Sequence, residues 1–530
     1  MSRPVEVPHT TTYAPNGMVC SVDHLASSAG VGVLRAGGNA VDAAIATSAV
    51  LAVTTQYMCG MGGDLWALVH TPGMTTPDTL DASGRAGSGA DADRLRADGH
   101  TEMPLHDDIR VTPVPGCVDG WTTLHERHGR LPLADVLAPA IELASDGFSA
   151  SPQLVASLPQ VARHEWAGDY TANGPLRPGH RVRRPGIARA LTAVATEGRD
   201  GFYLGEFGEG LIALGDGEYV QADLEHRHAD WVAPITNEAF GHTLWTTPPA
   251  SQGYLSLASA WIADGLDLPD DPDDPLWAHL LVEASRQAGF DRPDALHEHA
   301  DGQQLISPER LGPRRDAISN EAASDLWAPG QSGDTIYLCA VDRDRMGVSL
   351  IQSNAGGWGS GLAEPSTRIF LQNRGLGFSL QPGHPAEYGP GRRPPHTLAP
   401  AMVTNPDGSL RTVLGTMGGD TQPQVVLQML ARLLHAGQSP SRTIASGRWR
   451  LRSATPTGFH TWAAPDDLVV QTEGHAADGW DDGLRTRGHE VARIDRHDSG
   501  FGHAHLIDVS DQGLAGSSDP RAVSGAAAGH

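Results

Sequence analysis

The sequence predicts a mixed α/β protein in which helices cover strands. Helical segments recur along the chain, each opening at a residue that can cap a helix or closing at a glycine. Short apolar runs rich in branched residues lie between them, a pattern typical of buried strands. The composition agrees, because 39% apolar and 19% charged residues over 530 positions suit a globular protein with a large core.

The first predicted elements are two helices separated by a glycine pair. Asp23 can cap a helix that ends at Gly37-Gly38, and Asn39 can cap the next one, VDAAIATSAVLAV. This second helix is apolar on most faces, which predicts that it is buried. The glycine-rich segment 60–64 then leads into the strand-like run LWALVH.

Further helices and strands follow in the middle and the second half of the chain. The runs LADVLAPAIELASDG and GIARALTAVATEG each end at a glycine and predict helices. The polar stretch 300–334 predicts a surface segment. TIYLCAVD and GVSLIQS predict two strands that RDRM joins as a hairpin turn. RTVLGT predicts a strand running into Gly418-Gly419, and QPQVVLQMLARLLHAG predicts a helix that Gly437 closes.

The charge balance and one missing residue type exclude several functions. A formal net charge of −25 argues against a nucleic-acid partner, which would need a basic face. Lys and Arg together number 38, and all of them are arginines. Without lysine there is no P-loop lysine for a phosphate and no Schiff base to pyridoxal phosphate. We therefore expect no cofactor of these kinds, and the sequence indicates none of another kind.

Metal and membrane association are also disfavoured. The four cysteines are widely spaced without a CxxC pair, so neither a zinc ribbon nor a disulfide framework fits. His503-Ala504-His505 has no third ligand at a metal-binding spacing. The start of the chain does not resemble a signal peptide, and no run of about 18 apolar residues occurs. We expect no metal, no membrane and a cytoplasmic location, with a leaderless export route left open.

A series of segments resembles a known family in order and spacing. The segments are HLASSAGVGVLRAGGNAVDAAIATSAVLAVT, GMGGD, PGCVDGWTTLHERHGRLPLADVLAPAIELASDGF, GRDGFYLGE, PPASQGYLSL, GDTIYLCAVDRDRMGVSLIQSN, GWGSG, LQNRGLGFSL, RRPPHTLAPAMV, GTMGGD and GSSDPRAVSGAAAGH. They are similar to the γ-glutamyltransferase family of the N-terminal-nucleophile hydrolases. The resemblance implies a four-layer α-β-β-α sandwich. It also implies self-cleavage at Asp334–Thr335 into a large piece, 1–334, and a small piece, 335–530, intertwined as one composite domain.

Thr335 matches the nucleophile of this family. A threonine hydroxyl is a weak nucleophile at neutral pH and needs a neighbouring base. Chain cleavage would create that base, because a free α-amine has an ordinary pKa of about 7.7–8.0 and can accept the hydroxyl proton. The alternative is that Thr335 is an ordinary β-branched strand residue.

Three further positions match the catalytic apparatus of the family. Gly418 and Gly419 match its oxyanion hole, where backbone N–H groups ahead of a helix stabilise negative charge on a carbonyl oxygen. The alternative is a loop that needs glycine for its φ angle. Ser353 stands where the family has a threonine whose hydroxyl supports the nucleophile. It could equally be a strand-end serine bonded to backbone.

The positions that read the substrate depart from the family. Where γ-glutamyl enzymes carry an arginine for the α-carboxylate, this chain has Ser83, with Arg85 two residues on. The serine pair of the family is His396-Thr397 here. The positions that match the family's contacts to the α-amino group are Ala355, Arg374 and Gly377, and none of them carries an acidic group.

This departure predicts poor recognition of a glutamyl α-ammonium group, because a cation needs an acceptor or a carboxylate. Arg85, Arg374, His396 and Thr397 instead suggest a site for an anionic or acyl substrate. For Arg374 the alternative is a structural ion pair with a carboxylate.

The sequence therefore predicts an amide hydrolase or acyltransferase that acts on a small molecule through an acyl-Thr335 intermediate. The resemblance covers γ-glutamyltransferases, oxamate-like amidohydrolases and acylases, and it leaves open a homodimer of the processed unit. An inactive scaffold is the alternative from another class. Retention of Thr335 and Gly418-Gly419 argues against it.

Overall fold

The computed structural model describes residues 9–324, 335–453 and 468–530. Asp334, the residue before the predicted cleavage point, lies outside these ranges. The strands are β1 (Thr12–Ala14), β2 (Met18–Ser21), β3 (Asp64–His70), β4 (Asp78–Ala82), β5 (Phe148–Ser149), β6 (Arg181–Val182), β7 (Asp230–Val232), β8 (Ile235–Ala239), β9 (His242–Thr246), β10 (Ile336–Val341), β11 (Gly347–Ser353), β12 (Ala401–Thr404), β13 (Leu410–Thr416), β14 (Trp449–Ser453), β15 (Leu468–Glu473), β16 (Glu490–Ile494), β17 (Ala504–Ser510), β18 (Gly513–Ser518) and β19 (Ala526–Gly529).

Helices account for most of the remaining regular structure in these ranges. They are α1 (His24–Arg35), α2 (Ala40–Thr54), α3 (Ala92–Ala97), α4 (Cys117–His128), α5 (Leu133–Asp146), α6 (Pro152–Ser157), α7 (Gly168–Thr171), α8 (Pro185–Glu197), α9 (Arg199–Tyr203), α10 (Glu206–Gly215), α11 (Gln221–Glu225), α12 (Tyr254–Asp264), α13 (Pro275–Gly289), α14 (Arg292–Ala295), α15 (Gly302–Leu305), α16 (Pro308–Asp316), α17 (Gln422–Leu430), α18 (Pro440–Ala445) and α19 (Trp480–Thr486).

Two antiparallel sheets form the centre of the fold. One has the strand order β19-β2-β10-β11-β3-β4-β7, and the other has the order β1-β18-β17-β13-β12-β9-β8. Helices α1, α2 and α4 pack on the outer face of the first sheet, α5 packs on α2, and α8 packs on α5. Helices α12 and α17 pack on the outer face of the second sheet, and α13 packs on α12. The predicted four-layer α-β-β-α sandwich is confirmed.

Strand β10 shows how the sequence builds the layers. Ile336, Leu338 and Ala340 belong to the core under the helices, whereas Tyr337 and Cys339 belong to the core between the sheets. Successive side chains of a strand point to opposite faces, so a continuous apolar run fits a strand buried on both sides. The same alternation places Thr335 on the face between the sheets.

The first two helices begin and end as the sequence predicts. The Asp23 side chain accepts from the N–H of Leu25 at the start of α1, and Gly37 follows that helix with a φ of +100°. Asn39 caps α2 and accepts from the N–H groups of Val41 and Asp42. All residues of α2 are buried, as its apolar character on most faces predicts.

Two segments differ in detail from the prediction. The helix expected up to Gly437 ends as an α-helix at Leu430 and continues as a wider π-helical turn over Ala431–His435. In this turn the Arg432 guanidinium lies 4.9 Å from the centre of the Trp277 ring. The polar stretch predicted as a surface segment contains the helices α15 and α16, and Ser307 caps the second of them.

Candidate active site

Three polar residues lie side by side at one end of the first sheet. In the register of the sheet, Ser353 pairs with Asp64 across β11 and β3, and Ile336 pairs with Gln352 across β10 and β11. Thr335 therefore stands next to Ser353. Tyr337, Ile351 and Trp66 stand two positions along the same strands and belong to the core between the two sheets. Because side chains two positions apart on a strand share a face, Thr335, Ser353 and Asp64 also face the space between the sheets.

Thr335 and Ser353 are in direct contact. Their hydroxyl oxygens are 3.1 Å apart, and both side chains are fully buried. The Ser353 hydroxyl also accepts from the backbone N–H of Ala355 at 2.8 Å. Because this backbone bond fixes the Ser353 oxygen, the serine can hold the Thr335 hydroxyl in one orientation.

Gly418 and Gly419 follow β13 in the second sheet, at the same end of the sandwich as Thr335. A side chain at Gly347 would touch Leu410 at the start of β13, while one at Gly415 would touch Tyr337. Gly347 pairs with Val341 at the far end of β10. The start of β13 therefore lies near the last residue of β10, and the end of β13 lies near the first residues of β10. The glycine pair that follows β13 is thus at the end where Thr335 stands.

The glycine pair adopts a conformation that side chains disfavour. Gly418 has a φ of +128° and Gly419 a φ of +56°. A short 3-10 turn, Gly419–Thr421, follows and leads into α17. Backbone N–H groups in such a loop ahead of a helix can converge on an anion.

Gln252 ties this loop to the predicted substrate residues. Its side-chain amide donates to the carbonyl oxygen of Gly419 at 2.9 Å and to that of Thr397 at 3.0 Å. The residue is fully buried. Gln252 was not predicted from the sequence, although it lies in the family-like segment PPASQGYLSL.

Asp64 organises a buried polar network beside Ser353. The Arg374 Nε donates to Asp64 Oδ2 at 2.8 Å, and His396 Nε2 lies 2.9 Å from the same oxygen. Arg374 Nη1 also donates to the Thr397 hydroxyl at 3.0 Å. Arg374, His396 and Thr397 were predicted from the sequence. Asp64, which ends the family-like segment GMGGD, was not.

The charges in this network balance. Burial by itself would raise the pKa of Asp64, but the Arg374 charge and the His396 ring outweigh it and hold that pKa below its ordinary value. Burial and the Arg374 charge lower the pKa of His396, so its ring is neutral near pH 7. Arg374 and Asp64 therefore form a neutral ion pair, which is the structural alternative that the sequence left open for Arg374.

Arg85 lies apart from this network. It donates to Asp230 at 2.8 Å and is about a quarter exposed. At Ser83, the position of the family's arginine, the guanidinium of Arg393 donates to the serine oxygen at 2.8 Å and to Asp81 at 3.0 Å. Arg393 was not predicted from the sequence, and the substrate role of Arg85 stays a prediction.

A cavity of about 670 Å³ opens next to the network. Its wall includes Arg374, Gly377 and Thr397, three of the positions predicted to read the substrate. Arg292 also lines it and lies 3.4 Å from Asp420, the residue after the glycine pair. Among the described residues, the wall does not include His396 or Arg85, nor Thr335, Ser353 and the pair Gly418-Gly419. The cavity is the candidate substrate site.

One cluster has a spacing that could hold a metal ion. Glu473, His475 and His497 place ligand atoms within 4.8 Å of one another. However, Glu473 already accepts from the Arg521 guanidinium at 2.8 Å and from the N–H of Arg448 at 2.9 Å. A cation here would compete with Arg521 for the carboxylate, so the arrangement favours an ion pair over a metal site.

Similarity to known proteins extends over the whole chain. A model of the Gamma-glutamyltranspeptidase family matches residues 26–529. The chain belongs to this family. The family resemblance seen in the sequence is thus confirmed, and the chain is a hydrolase of the gamma-glutamyltranspeptidase family.

Individual relatives in this family carry different names. The oxamate amidohydrolase proenzyme of Klebsiella pneumoniae subsp. pneumoniae is 36% identical over 98% of this chain and 100% of its own length. The glutathione hydrolase-like YwrD proenzyme of Bacillus subtilis is 34% identical over 97% of this chain and 98% of its own. The crystal structure of cephalosporin acylase from Bacillus halodurans matches with a TM-score of 0.89 at 31% identity, over 100% of this chain and 98% of that one.

The lengths and hydropathy of the helices bear on membrane association. Within the described ranges, no helix combines the length and the apolar character that crossing a bilayer requires.

Proposed function

We propose that this protein hydrolyses or transfers the acyl group of a small-molecule amide through an ester on Thr335. The observation that carries the proposal is the position of Thr335. It stands at the start of a strand buried between two sheets, 3.1 Å from a second hydroxyl and at the same end as a loop of two glycines in left-handed conformations. The candidate nucleophile, its supporting hydroxyl and the candidate anion-binding loop thus lie at one end of the sandwich.

The first step is cleavage of the bond between Asp334 and Thr335. The cut separates 1–334 from 335–530 and gives Thr335 a free α-amine. With an ordinary pKa of about 7.7–8.0, this amine accepts the hydroxyl proton near neutral pH. No other base is needed in the reaction, since nucleophile and base belong to one residue.

The catalytic cycle then has two halves. The Thr335 oxygen attacks the amide carbonyl carbon while its proton moves to the α-amine. The backbone N–H groups at Gly418 and Gly419 stabilise the resulting oxyanion. The C–N bond breaks, and the leaving amine takes the proton from the α-ammonium group. Water, or an acceptor amine, attacks the ester in the same way and restores Thr335.

Ser353 supports the nucleophile and does not replace it. Its oxygen is held by the N–H of Ala355 and lies against the Thr335 hydroxyl. This contact keeps the Thr335 oxygen in the rotamer that faces the space between the sheets. The family that the sequence resembles has a threonine at the position of Ser353, and that threonine also carries a hydroxyl.

The pocket favours a substrate other than a γ-glutamyl compound. A glutamyl α-ammonium group needs a carboxylate partner, but Ala355 and Gly377 offer none, and Asp64 is already paired with Arg374. The oxamate amidohydrolase and the cephalosporin acylase among the relatives support an amidohydrolase or acylase. We assign Arg374 and Thr397 to the wall that receives the acyl group, and the inactive scaffold remains the alternative.

A denaturing gel tests the proposal. The wild-type protein is expected to give two bands of the sizes of 1–334 and 335–530, and Thr335→Ala a single uncut band without activity. Thr335→Ser is the matched control, because it keeps a hydroxyl and should still be cut, at a lower rate. Uncut wild-type protein that cleaves no amide would favour the scaffold.

A further inference from the structure

We infer that the acyl group this enzyme accepts is bulky and apolar. The inference rests on the proposed function and names the substrate class of the same site. The cavity of about 670 Å³ is its starting point. Cavities of about 300–1,000 Å³ accommodate drug-sized ligands. A two-carbon acid such as oxamate would leave most of this space unfilled.

Ten of the twenty residues that line the cavity are polar or charged, and five large apolar ones form the part of the wall that we call the apolar floor. Met103, Leu296, Leu376, Phe378 and Leu380 all line it, and all are buried, with exposed fractions between 2% and 9%. Apolar surface of this kind gains free energy when it contacts an apolar ligand in place of water.

The rim of the cavity has the opposite character. Thr101, Glu102 and Gln381 line the cavity and are exposed. An apolar floor below a polar rim matches a molecule whose apolar part enters first and whose polar part stays near solvent.

The arginines of the wall do not make the cavity a site for a small anion. Arg374 is paired with Asp64 at 2.8 Å, and Arg292 lies 3.4 Å from Asp420. Arg96 is paired with Asp93 at 2.6 Å and also contacts Glu387. Each guanidinium charge thus has a carboxylate near it, namely Asp64, Asp420, Asp93 or Glu387. We assign the choice of substrate to the apolar floor.

The acyl part of the amide, and not the leaving amine, occupies this cavity. Thr397 lines the cavity. The side-chain amide of Gln252 donates to the backbone carbonyl oxygens of both Thr397 and Gly419. Gln252 therefore links the cavity wall to the loop that is proposed to receive the carbonyl oxygen. The overall reaction is R–CO–NH–R′ + H2O → R–COO⁻ + R′–NH3⁺, with R in the cavity.

A substrate series tests this assignment with the processed enzyme. Acyl p-nitroanilides from acetyl to octanoyl, together with phenylacetyl, vary R while the leaving amine is constant. Amides of one acid with ammonia and with aniline vary the amine. One methylene in an apolar pocket is worth roughly tenfold or more in kcat/KM. We expect kcat/KM to rise at least a hundredfold from acetyl to the best acyl group, and to depend much less on the amine.

Two alanine variants provide a matched pair. Leu380 and Leu95 belong to the same buried cluster, but only Leu380 lines the cavity. Leu380→Ala should shift the preferred acyl group to a longer one and lower kcat/KM for the original optimum about tenfold. Leu95→Ala should keep the acyl preference of the wild type. Leu380→Phe, which narrows the cavity without removing apolar atoms, should shift the optimum to shorter chains.

The outcomes separate this inference from the proposed function. A processed enzyme that prefers oxamate, acetyl or γ-glutamyl p-nitroanilide would overturn the inference and leave the acyl-Thr335 mechanism standing. Equal acyl preferences in the Leu380 and Leu95 variants would also overturn it. A protein that is neither cut nor active on any amide would overturn both.

Discussion

Asp64 accepts hydrogen bonds from Arg374 and His396 at the start of β3, directly across the sheet from Ser353. It is a fully buried carboxylate, so its charge is tolerated only because Arg374 lies beside it. Asp64 thereby contacts the wall of the cavity through Arg374 and lies beside Ser353, the neighbour of the proposed nucleophile. Its role could not be predicted from GMGGD, because nothing in that segment reveals a partner 310 positions away.

Replacing Asp64 by Asn should destabilise the protein strongly at neutral pH. Breaking a buried ion pair leaves Arg374 uncompensated, which costs about 3–5 kcal/mol of unfolding free energy. Because the pKa of Asp64 lies below its ordinary 3.8 in the folded protein, the pair stabilises the fold above about pH 4. The stabilisation is lost as the pH falls through the folded pKa, so the gap between wild type and variant should close in acid.

Denaturant unfolding at several pH values measures this gap. Glu206→Gln is the control, since Glu206 forms an exposed pair with Arg189 that should contribute about 1 kcal/mol or less. A gap of the same size for both variants, or one that widens in acid, would contradict the assigned roles.

Removing the Ser353 hydroxyl should slow the reaction more than it weakens the fold. Ser353→Ala leaves the Thr335 hydroxyl without its partner, and a lost buried hydrogen bond costs about 1–3 kcal/mol, or roughly tenfold to a hundredfold in kcat. Ser353→Thr keeps a hydroxyl and should retain most activity.

Ser349→Ala controls for the loss of a buried hydroxyl on the same strand and face. The Ser349 oxygen lies 3.0 Å from the Tyr337 hydroxyl, away from the nucleophile. Steady-state kinetics and thermal unfolding of the two alanine variants separate catalysis from stability. Equal losses of kcat in both would show that Ser353 has no special part in the reaction.

At the scale of elements, the strand–loop–helix unit from β13 through Gly418-Gly419 to α17 carries the proposed oxyanion site. Gly418 has open surroundings, since an added Cβ would meet only atoms at 3.5 Å or beyond. Its φ of +128° is what a side chain would disturb. The loop geometry, and not the packing, therefore requires glycine here.

Gly418→Ala should reduce kcat about a hundredfold to a thousandfold, the effect of losing one oxyanion donor. Gly37→Ala is the control, because Gly37 also has a positive φ, +100°, and empty space around it, but lies at the end of α1. Both variants should lose about 1–3 kcal/mol of stability through backbone strain. A control with the same loss of kcat would refute the role of the loop.

Elements with strong local signals could be predicted from the sequence. The cap at Asn39, the apolar run of α2 and the hairpin of β10 and β11 all stand in the structure as expected. The π-helical turn at Ala431–His435 could not be predicted from the sequence, because it depends on how that turn packs against distant parts of the chain. Likewise Thr335 and the glycine pair follow from family-like motifs, whereas Gln252 is defined by contacts between distant segments.

At the scale of the whole molecule, each of the two central sheets contains strands from before and from after residue 334. Strands β10 and β11 lie between β2 and β3 in the first sheet, and β12 lies beside β9 in the second. Cleavage before Thr335 would leave these hydrogen-bonded ladders intact. We propose that the pieces 1–334 and 335–530 form one composite unit.

The two pieces should therefore stay together after the cut. Size-exclusion chromatography in native buffer should show them co-eluting, with a mass of 55.9 kDa or a multiple of it. They should separate only in denaturant, because separation removes β10 and β11 from the middle of a sheet. Native elution of either piece alone would contradict the composite unit.

The most direct test of the mechanism is intact-mass analysis of enzyme quenched in acid during turnover of a slow amide substrate. The account predicts a polypeptide with the mass of 335–530 and a second species heavier by the acyl group, with the added mass on Thr335. Active enzyme whose chain is continuous across residues 334 and 335, or an acyl group on another residue, would contradict it.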